Sequence, residues 1–187
     1  MSKPIFSDGI GYEGKVTLTL KSNNRVLKST TYKNNGTALL FKFLGDCLIG
    51  SYEEAKSFIP SKILLLENTS TDVRDAEAVN VCSTWQPLAK MPAIISDANT
   101  AQVKVIYSFE VPKAAISKNF NQVALYGADV KDPKEFSAYY YLTDIRGNLE
   151  VQEIDLWSAT TILLIEWELS LSNKNVEITT QGGQNND

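Results

Sequence analysis

The feature that most constrains this chain is a strict alternation of apolar and other residues over long stretches. Between residues 103 and 111, large apolar residues occupy every odd position. The same pattern recurs between residues 161 and 172, with Glu166 and Glu168 on the opposite face. Because successive side chains of a strand point to opposite faces, a period of two predicts strands with one buried face. The chain is therefore expected to be mainly β.

Shorter segments carry a similar signal. Val16, Leu18 and Leu20 alternate with threonines, and Ser22-Asn23-Asn24 then predicts a turn into a hairpin whose second arm spans residues 25–32. Apolar runs or alternation predict further strands at residues 63–66, 81–88, 94–95, 120–126, 137–143, 149–154 and 176–180.

The segment at residues 81–88 is less regular. Its alternation places Val81, Ser83 and Trp85 on one face of a strand. Pro87 cannot donate a ladder hydrogen bond, so this strand is expected at an edge or to end there.

One short apolar helix is expected at residues 38–49, in the N-terminal third. Thr37 can cap its first turn and Gly50 can end it. Its apolar residues recur at spacings of one, three and four, and its polar face is not rich in lysine or arginine. This pattern predicts packing on a sheet rather than on a membrane surface.

Many alternating strands with one early helix favour an antiparallel β-sandwich, because the regular strand–helix alternation of a parallel sheet is missing. We expect a single domain at residues 14–180, a flexible N-terminal arm at residues 1–13 and a flexible polar tail at residues 181–187. The arm either orders on assembly or is simply a disordered end.

Composition excludes several kinds of chemistry. The chain of 187 residues has no histidine, which removes the usual acid–base group and the commonest metal ligand. Its net charge of −4 and the absence of a basic patch argue against nucleic-acid binding. No apolar run is long enough for a membrane span. We expect no catalytic residue, no cofactor and no metal. Whether Cys47 and Cys82 are bonded stays open.

Acidic residues are the remaining candidates for chemistry. Glu166 and Glu168 share a strand face about 7 Å apart, a separation compatible with glycoside hydrolysis. Glutamates that alternate with large apolar residues are also typical of the wet face of a strand, and we prefer that interpretation. The acidic segment at residues 72–77 lacks the spacing of a calcium loop.

Aromatic residues define a candidate interaction surface, which consists of Trp85, Tyr139, Tyr140, Tyr141 and Trp157. Consecutive tyrosines place at least one ring on each face of a strand, and tyrosine is favoured at interfaces. The alternative is ordinary strand filling, and for Trp157 a plug in the core.

The order of these features resembles that of small bacteriophage tail, baseplate and fibre-attachment proteins. The resemblance covers about residues 14–171. It rests on an Asn-Gly-Thr turn before an apolar helix, the strand Val-Ala-Leu-Tyr at 123–126, an aromatic run at 138–142 and the strand Ile-Glu-Trp-Glu-Leu at 165–169.

The resemblance implies a non-enzymatic structural subunit of the virion, made in the host cytoplasm. Such a subunit would form a homo-oligomer in the tail, baseplate or neck and dock neighbouring virion proteins or fibres. The alternative function is a carbohydrate- or receptor-binding module, which would use the exposed aromatic residues on a host surface glycan.

Overall fold

The computed structural model describes residues 5–34, 50, 59–71, 77–97, 102–132, 140–144 and 157–178. In these residues the chain forms ten strands: β1 (Ile5–Ser22), β2 (Arg25–Asn34), β3 (Pro60–Asn68), β4 (Val79–Val81), β5 (Gln86–Pro87), β6 (Ala93–Asp97), β7 (Gln102–Pro112), β8 (Gln122–Gly127), β9 (Tyr140–Asp144) and β10 (Thr161–Ile178). A single 3-10 turn, Lys113–Ala115, follows β7.

The strands form two antiparallel sheets of five strands each. The long sheet has the order β2-β1-β10-β7-β6. The short sheet has the order β4-β3-β8-β9, with β5 also paired to β3. The predicted mainly β fold with antiparallel pairing is confirmed.

The first and last strands form the centre of the long sheet. β1 and β10 pair along their whole lengths, from Ile5 opposite Ile178 to Ser22 opposite Thr161. β2 pairs with β1 only from residue 14 onward, and β7 pairs with β10 only up to residue 172. In the described part of the chain, residues 5–10 and 173–178 therefore form a two-stranded ribbon beyond the rest of the sheet.

The ribbon differs from the expected organisation of the chain ends. Residues 5–13, expected as part of a flexible arm, lie in β1. The strands predicted at residues 161–172 and 176–180 are one continuous strand, β10, which ends at Ile178.

The hairpin between β1 and β2 closes through two residues. Ser22 pairs with Arg25, and Asn23 and Asn24 have φ angles of 48° and 63°. Positive φ at both central positions is the pattern of a type I′ turn, whose twist matches that of the flanking strands. Asparagine tolerates this conformation better than most residues, so the predicted turn is confirmed.

The main core contains residues from both sheets. The alternation predicted to bury one face of β1, β7 and β10 is confirmed for the halves of these strands nearest the hairpin end. The core is formed by Val16, Leu18 and Leu20 of β1, Tyr107, Phe109 and Val111 of β7, Leu163, Ile165, Trp167 and Leu169 of β10, together with Ile63, Leu65, Val123 and Leu125 of the short sheet.

The two central strands of the short sheet, β3 and β8, are buried on both faces. Ile63 and Leu65 belong to the main core, whereas Leu64 and Leu66 belong to a second cluster on the other face. In the described residues this second cluster also includes Val79, Ala124, Tyr126 and Val130, with Trp85 packed against it. Burial on both faces explains why β3 has an unbroken apolar run instead of an alternation.

Residues 77–97 pass from one sheet to the other. β4 and β5 pair with β3, whereas Leu88 bridges to Phe109 and β6 pairs with β7. This segment therefore connects the edges of the two sheets on one side of the core.

The face predicted for residues 81–88 is wrong. Val81 is 39% exposed, whereas Cys82 and Ser83 are buried. The segment is not a regular strand. Individual hydrogen bonds place its residues: the backbone N–H of Leu65 donates to Ser83 Oγ at 2.9 Å, and that of Cys82 donates to the Leu65 carbonyl at 2.9 Å.

Three predicted segments lie outside the described residues: the helix at 38–49, the strand at 149–154 and the tail at 181–187. Among the described residues, no helix has the length and apolar character needed to cross a membrane.

We predict that Asn24→Ala lowers the free energy of unfolding by about 1 kcal/mol, because a Cβ without a compensating polar group is unfavourable at positive φ. Asn24→Gly is the matched control and should leave stability unchanged or raise it, since glycine adopts this conformation freely. Urea unfolding at one protein concentration measures both variants. Equal losses for alanine and glycine would contradict the assigned turn.

Candidate functional site

Of the aromatic residues predicted to form an interaction surface, Trp157 lies in the main core. It is 5% exposed, and its ring meets Phe120 edge to face with ring centres 6.4 Å apart. A ring this buried offers no face to a ligand. Of the two alternatives for Trp157, an interaction surface or a plug in the core, the structure shows the plug in the core.

Trp85 lies on the other side of the short sheet and is half-buried. Its ring meets Tyr126 edge to face at 4.9 Å, and the Lys62 ammonium lies 4.3 Å from its ring centre. Lys62 also donates hydrogen bonds to the carbonyl oxygens of Ala128 and Val130. One face of the Trp85 ring is thus covered by a cation, which stabilises the ring by attraction to its π electrons.

The predicted aromatic residues therefore do not meet in one surface. Trp85 and Trp157 belong to different clusters. For Tyr140 and Tyr141 the structure describes the backbone, which forms the start of β9. Tyr139 lies outside the described residues.

Glu166 and Glu168 lie on the face of the long sheet opposite the core. The Glu168 carboxylate pairs with Lys104 Nζ at 3.3 Å and accepts a hydrogen bond from Ser170 Oγ at 3.1 Å. Glu166 lies between Thr17 and Ser108 of the neighbouring strands and is exposed. These surroundings are those of a solvated strand face with cross-strand pairs.

Cys82 is a free, buried thiol, and Cys47 lies outside the described residues. Its Sγ donates to the carbonyl oxygen of Asn119 at 3.2 Å. Burial raises its pKa to about 11, so the thiol is protonated at neutral pH and is a poor nucleophile. Among the described residues, no cluster of three or more Cys, Asp or Glu side chains has a geometry suited to a metal ion.

A shallow groove lies beside the β1–β2 turn, on the face of the long sheet opposite the core. It encloses about 290 Å³ and is lined by Lys21, Asn23, Asn24, Glu110, Thr160, Ile162 and Leu164. Amide, hydroxyl and carboxylate groups thus border an aliphatic floor. The lining contains no aromatic ring on which a sugar could stack.

Among the described residues, the two most exposed large apolar side chains, Met91 and Ile94, lie near the other end of the long sheet. All five residues of β6 are exposed. Ile94 is 72% exposed and Ile95 is 52% exposed. Near them, Met91 is 88% exposed and Val103 is 40% exposed. We call these four residues the β6 edge.

The opposite edge of the long sheet has a different character. β2 also exposes two apolar residues, Val26 at 51% and Leu27 at 54%. It carries three basic residues, Arg25, Lys28 and Lys33, and no acidic residue. Such charges protect an edge strand from pairing with another copy of itself.

The sequence predicted a strand at residues 94–95 but not its exposure. The available signal was its short length next to Pro92, since both are typical of edge strands.

Comparison of the chain with protein-family models, with curated proteins and with solved structures finds no match.

We predict a loss of stability at alkaline pH, because three buried groups have raised pKa values in the folded chain. Burial raises the pKa of Cys82 from 9.0 to about 11 and that of Tyr107 from 10.0 to about 12, and it also raises the pKa of Tyr126. The folded chain therefore holds these protons more tightly than the unfolded chain. Their contribution to stability is complete below pH 9 and is lost as the pH rises through 11 and 12.

Tyr107→Phe tests this prediction, because it removes one of the titrating groups while keeping the ring. Between pH 9 and pH 12 the free energy of unfolding of the variant should fall by on the order of 2 kcal/mol less than that of the unaltered chain. Urea unfolding midpoints across this pH range measure the difference. Parallel curves for the two proteins would show that Tyr107 does not titrate differently in the folded state.

Proposed function

We propose that this chain is a structural subunit of a bacteriophage virion that assembles by joining the edges of its sheets to neighbouring subunits. The tail, the baseplate and the neck are the regions of the virion that the sequence resemblance favours. The single observation that carries the proposal of assembly is the β6 edge.

The proposal includes the packing of the two sheets as a β-sandwich. One continuous cluster of buried residues draws on both sheets, as face-to-face packing requires. A rigid frame of this kind holds the outer strands in place and leaves their edges available.

An edge strand presents unpaired backbone N–H and C=O groups, which readily pair with another strand. Proteins that stay monomeric usually protect such edges with lysines, prolines or a covering loop. β6 has Pro92 before it and Asp97 at its end, but two exposed isoleucines occupy its centre. A partner strand would cover both the backbone and these side chains.

The ribbon formed by residues 5–10 and 173–178 supports the same function. An isolated two-stranded ribbon is marginally stable in water. In the described residues its outer edges have no paired strand. A neighbouring subunit that adds a strand to the ribbon would stabilise it.

The alternative function, glycan binding, has weaker support. The groove beside the β1–β2 turn offers polar groups but no stacking ring. Of the aromatic side chains proposed for sugar stacking, Trp157 is buried and Trp85 is covered on one face by Lys62.

Light scattering over a concentration series tests the proposed function. We predict that the mass rises from that of one chain to that of a discrete oligomer, because edge pairing is reversible and follows mass action. A glycan array is the companion measurement and should give no saturable binding. A constant monomer mass together with saturable binding to one glycan class would contradict the proposal and favour the alternative.

A further inference from the structure

β6 exposes one isoleucine on each face of the long sheet. Ile94 lies opposite Val105 of β7, on the face that carries the main core. Ile95 lies opposite Lys104, on the other face. A strand that paired with β6 would therefore cover apolar surface on both faces at once.

We propose that β6 pairs in antiparallel fashion with β6 of a second copy of this chain. A twofold axis passes through Ile95, perpendicular to the sheet, so that two five-stranded sheets join into one continuous sheet. This inference rests on the proposed function, because it names the edge and the partner through which the subunit assembles.

Proline favours Ile95 over Ile94 as the position of the axis. A twofold axis perpendicular to the sheet does not exchange the two faces of the sheet. Residues that lie opposite each other must therefore belong to the same face, which requires that one residue lies opposite its own copy at the axis. An axis through Ile94 would bring Pro92 into the ladder opposite the partner's Ser96, and Pro92 has no N–H to donate. An axis through Ile95 pairs the segment Ala93–Asp97 with the same segment of the second copy and leaves Pro92 outside the ladder.

This register is self-complementary in shape. Ile95 meets the partner's Ile95 on one face of the sheet. On the other face, Ile94 meets the partner's Ser96, which itself lies opposite the partner's Val103. Ile94 and Val103, exposed at 72% and 40% in the single chain, thus come to lie in one row across the joined sheets, with Ser96 between them.

Charge also favours a second copy at this edge. The one charged residue of β6 is Asp97, and it lies opposite the partner's Ala93 in this register. No like charges face each other. By contrast, β2 carries Arg25, Lys28 and Lys33 and no acidic residue, so self-pairing of β2 would bring charges of one sign together along the joined strands.

The contact is small. A strand of five residues buries less than the roughly 1,200 Å² of a standard stable interface. The dimer formed through β6 is therefore reversible, and its population rises with protein concentration.

Ile95→Lys tests the inference, because it places two lysines opposite each other on the axis, beside Lys104. Leu27→Lys is the matched control: it removes an apolar side chain of nearly equal exposure, 54% against 52%, from the other edge of the same sheet. We expect Ile95→Lys to raise the dissociation constant about tenfold or more and Leu27→Lys to leave it unchanged, as measured by light scattering. Unfolding midpoints confirm that both variants fold.

Ile95→Cys gives a second, positive test. Residues directly opposite each other in an antiparallel pair have Cα atoms about 4.5–5.5 Å apart, within the range of a disulfide. Mild oxidation should therefore produce a covalent dimer of Ile95→Cys above the background of the unaltered chain, and Leu27→Cys should stay at background.

Two results would overturn the inference in distinguishable ways. If the chain associates but Ile95→Lys has no more effect than Leu27→Lys, assembly uses another surface and the proposed function stands without this interface. If the unaltered chain stays monomeric at every concentration, the inference fails together with the proposed self-association.

Discussion

The pairing of β1 with β10 is the interaction on which the rest of the structure depends. It joins the first and last described strands over 18 positions, a length of about 60 Å. β2 attaches to one side of this pair and β7 to the other, so the order of the long sheet follows from it. Bringing together segments so distant along the chain costs conformational entropy. Burial of residues such as Leu18, Ile165 and Trp167 on one face offsets this cost.

The two sheets differ in how they use their surfaces. The two central strands of the short sheet, β3 and β8, are apolar and buried on both faces, so they are part of the interior. The long sheet extends past the short sheet: Tyr107, Phe109 and Val111 of β7 are buried, but Val103 of the same strand is 40% exposed. The exposed surface through which we propose that copies associate therefore lies at the outer end of the long sheet, where β6 forms the edge. Of the two glutamates considered for glycoside hydrolysis, Glu168 pairs with Lys104 and Glu166 is exposed on the strand face opposite the core.

The sequence predicts strands well where one face is buried along a regular strand, because the alternation of side chains then records burial directly. The alternation predicts β1, β7 and the first part of β10 on this basis, whereas an unbroken apolar run predicts β3. Apart from the β1–β2 hairpin, the sequence does not predict which strands pair, since the other partner of β1, strand β10, is distant along the chain and no local pattern identifies it. It also fails at Val81 and Ser83, where single hydrogen bonds set the burial. An exposed Ile94 looks the same in sequence as a buried one, so the candidate edge became visible only through the exposure of β6.

Hydrogen exchange of the backbone amides at two protein concentrations tests the central claim most directly, because it reports on each edge of the long sheet separately. If copies join through β6, the amides of Ile94–Ser96 whose N–H groups point away from β7 exchange more slowly at high concentration, since they become hydrogen-bonded to a second strand. The amides of β2 should exchange at the same rate at both concentrations. Exchange at β6 that does not depend on concentration, or protection that appears only at β2, would contradict the account.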